Sequence, residues 1–127
     1  MSRVVLDASA ILALLNQEEG AERVAPFLAD AVISTVNLAE VVTRLALAGM
    51  PETAIREALA LLPLESVPFD AGQAIDVGLL APTTRPSGLS LGDRACLVLA
   101  RRLDATAVTA DQAWVGIDAG VAVELIR

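Results

Sequence analysis

Histidine, lysine and tyrosine are absent from this chain, and cysteine occurs once. All nine basic residues are therefore arginine. Without histidine there is no Ser-His-Asp triad and no His-ligated zinc, and without lysine there is no P-loop and no Schiff-base chemistry. A lone Cys96 excludes an intrachain disulfide and a multi-cysteine zinc site, and is expected in the core. Aromatics supply only 2% of a chain that is 55% hydrophobic, so the interior has to be built from Ala, Val, Leu and Ile. Despite a mean hydropathy of +0.63, no apolar run approaches the roughly 18 residues that suggest a membrane span. Surplus aliphatic surface is expected at a dimer or partner interface instead. Asp7 interrupts the apolar start almost at once, which argues against a signal peptide and for a cytoplasmic protein.

What is present is carboxylate. Sixteen acids against nine bases leave a net charge of −7. Such a balance argues against nonspecific attraction to nucleic acid, which depends on a basic face. It does not exclude a nucleic-acid enzyme, because bound divalent cations neutralise a local acid cluster and arginines can gather where a phosphate backbone runs. A length of 127 residues fits one domain, 1–127, with a core that needs no disulfide or structural metal.

Residues Val4 to Leu6 form a continuous β-prone run, as in a parallel strand covered on both faces, with Asp7 at its carboxyl end. Helices are expected over Ala8 to Leu15 and Ala21 to Ala29, with a strand at Ala31 to Ser34. From Asn37, the positions Leu38, Val41, Val42 and Leu45 follow helical spacing, which turns Glu40 and Arg44 to another face. Gly49 ends that helix. Pro51 opens the next one, which Pro63 stops. Leu64 to Val67 is a further strand, and Asp70 caps a helix to about Leu80. Pro82 to Gly88 has the composition of a surface loop, and such loops often flank sites. A helix over Leu91 to Leu103, a strand at Thr106 to Val108, a turn at Gln112 to Val115 and a strand at Val121 to Ile126 complete the chain. Strands alternating with helices give an α/β fold with a mostly parallel sheet.

Four acids stand out in this frame. Asp7 and Asp111 follow strands, where open α/β sheets place their ligands. An Asp in that position is also a common N-cap. Asn37 to Glu40 and Ser90 to Asp93 both have capping-box spacing, so capping alone accounts for either acid. If the four converge, two carboxylates about 4 Å apart repel by roughly 4 kcal/mol at an effective dielectric of about 20, and the cluster requires a cation. Mg²⁺ or Mn²⁺ suits an all-oxygen site that needs neither His nor Cys.

The stretches Val5-Leu6-Asp7-Ala8-Ser9-Ala10, Asn37-Leu38-Ala39-Glu40-Val41, Leu91-Gly92-Asp93-Arg94-Ala95 and Thr109-Ala110-Asp111, in this order, strongly resemble the PIN-domain ribonucleases. Among these the chain is most similar to the VapC toxins of bacterial toxin-antitoxin pairs, and the resemblance spans essentially its whole length. It implies a PIN-like three-layer sandwich, with a central mostly parallel sheet flanked by helices, and Mg²⁺- or Mn²⁺-dependent endonuclease activity on RNA. Asp7, Glu40, Asp93 and Asp111 match the family's catalytic, metal-holding acids. Ser9, Asn37 and Thr109 match its supporting polar positions, where a hydroxyl or amide orients a carboxylate; local capping is the alternative for Ser9 and Asn37. The resemblance further implies a homodimer and a cognate VapB-type antitoxin whose tail occupies the acidic groove.

Arg85, Arg94 and Arg101 are candidate substrate-binding residues. Arg94 and Arg101, seven apart on one helix, share a side that could track a phosphate backbone. For Arg101 and Arg102 the competing reading is solvated surface or pairing with Asp104. Trp114 suits packing better than base stacking in so aliphatic a chain. A phosphatase of the haloacid-dehalogenase type, or a phospho-acceptor receiver, would also place an Asp after the first strand. Both resemble families that use a lysine, which is missing here, and Ser9 stands where the phosphatase motif needs a second Asp. A non-catalytic binding module of the same fold is the remaining alternative, opposed by the complete set of acids.

Overall fold

The structure, a computed structural model, describes residues 3–127. Five strands form one sheet in the order β3-β2-β1-β4-β5, and every neighbouring pair is parallel. They are β1 (Val4–Leu6), β2 (Ala31–Ser34), β3 (Glu65–Val67), β4 (Thr106–Thr109) and β5 (Val123–Leu125). Register aligns Val4 with Ala31 on one side of β1, and Val5 with Ala107 on the other. The sequence implied a mostly parallel sheet flanked by helices, and this is its arrangement.

Alternation along the strands divides the interior in two. Val5, Val32 and Ala107 face one core, built with α5 (Ala71–Leu79) and α7 (Leu91–Leu103). Val4, Leu6, Ile33 and Val108 face the other, built with α1 (Ala8–Leu15), α2 (Ala21–Val24), α3 (Thr35–Leu47) and α4 (Glu52–Ala60). Side chains that alternate across a strand, each buried by helices, explain why these strands read as unbroken apolar runs. Cys96 and Trp114 are both buried in the first core, so Trp114 packs and offers no ring to a base.

Several boundaries differ from their sequence expectations for local reasons. The helix expected from Ala21 to Ala29 stops at Val24 and continues as a 3₁₀ segment, Ala25–Asp30, with Pro26 in its first turn. Proline lacks the N–H that would continue the α ladder. Helix α3 starts at Thr35, with the Ser34 hydroxyl accepting from Val36 N, so Asn37 lies inside the helix and does not cap it. The stretch from Pro82 to Gly88 is not irregular: α6 (Ala81–Thr84) runs into a 3₁₀ turn, Arg85–Ser87.

The sheet order positions the site. From β1 the chain steps outward through β2 and β3, then returns to place β4 on the opposite flank of β1. The carboxyl ends of β1 and β4 therefore form a topological switch point, the crevice where open α/β sheets bind ligands. At the far end of the chain, Gly20 (φ 96°) lies under Ile126, whose carbonyl oxygen would stand 2.5 Å from a Cβ at position 20. That close approach holds the carboxyl terminus, and with it Arg127, against the α1–α2 connection.

Candidate active site

Asp7 follows β1 and caps α1, its Oδ1 accepting from Ala10 N at 3.0 Å. The same oxygen accepts from the Ser9 hydroxyl at 2.7 Å, and Oδ2 accepts from the Thr109 hydroxyl at 2.6 Å. Ser9 Oγ in turn accepts from Ala110 N, and Thr109 Oγ1 accepts from Asp111 N. Two hydroxyls thus link the end of β1 to the end of β4 through a carboxylate that is only 4% exposed. Burial is the main cause that raises the Asp7 pKa from 3.8 to about 6; the bonds from Thr109, Ser9 and Ala10 oppose the rise, and the charge on Asp93 adds to it.

Glu40 comes from the middle of α3. Its Oε1 accepts from Asn37 Nδ2 at 2.8 Å, and the other Asn37 N–H donates to the carbonyl of Gly92 at 3.0 Å. Asn37 is 1% exposed, so this amide ties α3 to the first turn of α7 from inside the protein. Gly92 completes the junction, because a Cβ there would collide with the Glu40 carboxylate. One turn of α7 also fixes Asp93, whose Oδ2 accepts from Ser90 N at 2.8 Å while Ser90 Oγ accepts from Asp93 N. The capping box anticipated from Ser90 and Asp93 is present. Asp111 follows β4, and its Oδ1 accepts from Ala113 N at 2.9 Å.

All four carboxylates, with Ser9, line one cleft of about 820 Å³. Capping and a shared site are therefore compatible: Asp7, Asp93 and Asp111 each hold a local N–H and still belong to the cleft. Among the described residues, Glu40 Oε2, Asp93 Oδ1 and Asp111 Oδ2 accept no hydrogen bond, because the named donors take the other oxygen of each. Each of these three acids is oriented through one atom and offers the second. No three acids among the described residues stand close enough to form a finished ligand shell. The donors these acids offer to the cleft are all oxygens, a set that fits a hard cation such as Mg²⁺. A buried Asp7 ionised at neutral pH gives the cation a further electrostatic reason to bind.

The arginines expected to contact substrate stand apart from the acids. None of Arg85, Arg94 and Arg101 lines the acidic cleft. Arg94 Nη1 donates to the carbonyl of Val77 on α5, and Arg94 shares a separate pocket with Arg85. Arg101 lies two turns along α7, where its side chain reaches toward Gly120. Arg102 pairs with Asp76, not Asp104. The cleft's arginines are Arg44 and Arg127. Arg44 was readable, since it follows Glu40 by four residues on one helix face. Arg127 was not, because only the folded chain brings it to Glu18, at 3.2 Å.

Two outcomes follow from this geometry. Gly92→Ala should shift the melting temperature by only a few degrees, since the helix propensity gained, at most about 1 kcal/mol, offsets the disturbed Asn37–Glu40 bond, which contributes about as much. The same variant should weaken Mn²⁺ binding, because Glu40 is displaced; thermal melts and Mn²⁺ titration check both. For Asp7, the raised folded-state pKa sets the sign. The unfolded chain loses this proton first, so in metal-free protein the group's contribution falls as pH rises from 3.8 through about 6, by about 3 kcal/mol in all. Denaturant unfolding across that range should show the fall in wild type and its loss in Asp7→Asn, whereas parallel curves would contradict it.

Comparison with known proteins agrees with this architecture. Residues 4–120 match the family model described as PIN domain. The DNA-bound VapBC structure from Salmonella typhimurium superimposes with a TM-score of 0.77 at 21% identity, covering 100% of both chains. A toxin-antitoxin complex from Klebsiella pneumoniae gives 0.76 at 17% identity over 98% of each chain. VapBC-5 from Mycobacterium tuberculosis gives 0.61 at 23%, covering 100% of this chain and 99% of that one. At these identities the likeness is one of fold. No curated protein matches the chain. With a family match over nearly its whole length, a parallel five-stranded sheet and acids gathered at its switch point, the chain belongs to the PIN-domain family.

Proposed function

We propose that this protein is a divalent-metal-dependent endoribonuclease and the toxin of a VapBC-type pair. The observation that carries the reading is the arrival of Asp7, Glu40, Asp93 and Asp111 from four separate places in the chain at one cleft. A bound Mg²⁺ or Mn²⁺ would neutralise the acids, acidify a water for attack on a phosphodiester and stabilise charge on the departing oxygen.

The chain's own residues prepare this chemistry. Ser9 and Thr109 hold Asp7 with both of its oxygens directed, so little reorganisation remains when charge enters the cleft. Asn37 sets Glu40, and the capping box sets Asp93. Glu40, Asp93 and Asp111 offer their unpaired oxygens to the cation or its waters. Arg44 is exposed on the same cleft and forms no ion pair among the described residues. It supplies the positive charge that a phosphate entering an acidic site requires. Arg127 is braced by Glu18 and the carbonyl of Glu19.

RNA is the substrate that the family resemblance favours. A cognate antitoxin would silence the enzyme by laying a basic tail in the acidic cleft, and a homodimer would cover the exposed apolar residues, among them Ile75 and Leu79 on α5. Among the described residues no helix is long and apolar enough to cross a membrane.

Cleavage of single-stranded RNA by purified protein tests the reading. Activity should require Mg²⁺ or Mn²⁺ and stop with chelator. Asp93→Asn should cut no faster than the chelated wild type while melting normally, and Thr109→Val should lose roughly 10- to 100-fold. Equal cleavage by wild type and Asp93→Asn would defeat the assignment.

A further inference from the structure

The arginines of this acidic chain are unevenly employed. Arg3, Arg56, Arg102 and Arg127 form ion pairs with Glu65, Glu52, Asp76 and Glu18. Among the described residues the other five form none. Two of those five, Arg85 and Arg94, line a pocket of about 420 Å³ whose wall contains no acid. In a chain with sixteen acids and nine arginines, a cavity lined by two guanidiniums outside any ion pair and by no carboxylate favours an anion. Its remaining wall includes Ala81, Pro82 and Leu89, which add no competing charge. Thr84 Oγ1 is turned to the carbonyls of Leu80 and Ala81.

Arg94 is prepared for this role. One of its five N–H donors is spent on the Val77 carbonyl at 2.8 Å, which fixes the half-buried side chain and leaves the others for a ligand. Arg85 is exposed on the 3₁₀ turn that lines the same pocket.

The pocket is also the acidic cleft's immediate neighbour. Leu89 lines the pocket and Ser90 the cleft; Arg94 lines the pocket and Asp93 the cleft. Twice, consecutive residues divide between the two cavities, so the start of α7 contributes to both. A polyanionic strand with one phosphate in the acidic cleft and the next at the arginines would pass over these residues. We propose that Arg85 and Arg94 form a second subsite that binds a backbone phosphodiester of single-stranded RNA adjacent to the one that reacts. The proposal rests on the nuclease reading for the identity of the strand and adds where its flanking phosphate is held.

The test is binding of a fluorescent oligouridylate to the full chain with Ca²⁺ in place of Mg²⁺, followed across a salt series, together with steady-state cleavage in Mg²⁺. Arg85→Ala should weaken binding about tenfold and make the slope of log K against log salt shallower by about 0.7, one single-strand phosphate contact. It should raise KM by a similar factor and leave kcat within about twofold, as loss of uniform binding does. Arg94→Met should weaken binding likewise. Arg56→Ala, which removes the same charge from α4, should match wild type. If wild type cleaves RNA but Arg85→Ala binds with unchanged affinity and salt slope, the subsite is wrong and the nuclease reading stands. If binding depends on Arg85 but no metal-dependent cleavage occurs, the nuclease reading falls and the phosphate site remains.

Discussion

The Asp7 carboxylate, buried at the switch point and held by the hydroxyls of Ser9 and Thr109, is the constraint on which the site depends. It caps α1, joins the end of β1 to the end of β4, and through Thr109 Oγ1 and Asp111 N positions the next acid as well. A charge in this position is costly, which is why burial raises the pKa to about 6 against the effect of three hydrogen bonds. Protein stability alone would favour a neutral side chain there. Retaining the acid is intelligible if a cation shares the cleft, since the charge that destabilises the empty fold is then the charge that binds.

A second network performs the corresponding task for Glu40 and Asp93. Asn37 reaches from α3 to the carbonyl of Gly92, and the absence of a side chain at position 92 makes room for the Glu40 carboxylate. The Ser90–Asp93 capping box belongs to the same turn. Helix packing and site geometry are therefore one structure here: α3 and α7 cannot shift against each other without moving two of the four acids.

Much of this was legible in the sequence where local physics decides the outcome. The bounds of α1 and α7 follow from apolar spacing behind an N-cap, at Asp7 and Ser90, and β1 follows from its unbroken apolar run. Asn37 shows where local reading stops. Its spacing from Glu40 imitates a capping box, but Ser34 already caps the helix, and the Asn37 amide serves a residue on another element. The positions of the arginines were hidden for a related reason. Seven-residue spacing puts Arg94 and Arg101 two turns apart along α7, but the Val77 carbonyl draws the Arg94 guanidinium toward α5. Likewise nothing near Arg127 in sequence could announce Glu18 as its partner. The motifs located the acids, while the arginines took their places from tertiary packing.

In the proposed site, Asp7, Glu40, Asp93 and Asp111 act together to hold a divalent cation. Manganese binding followed by electron paramagnetic resonance reads this directly, because the signal of free Mn²⁺ is lost when the ion binds. Wild-type protein should bind the ion at a defined site, and Glu40→Gln and Asp111→Asn should each weaken it by roughly 10- to 100-fold without changing the melting temperature of the metal-free fold by more than a few degrees. Affinity equal to wild type in both variants would contradict the account.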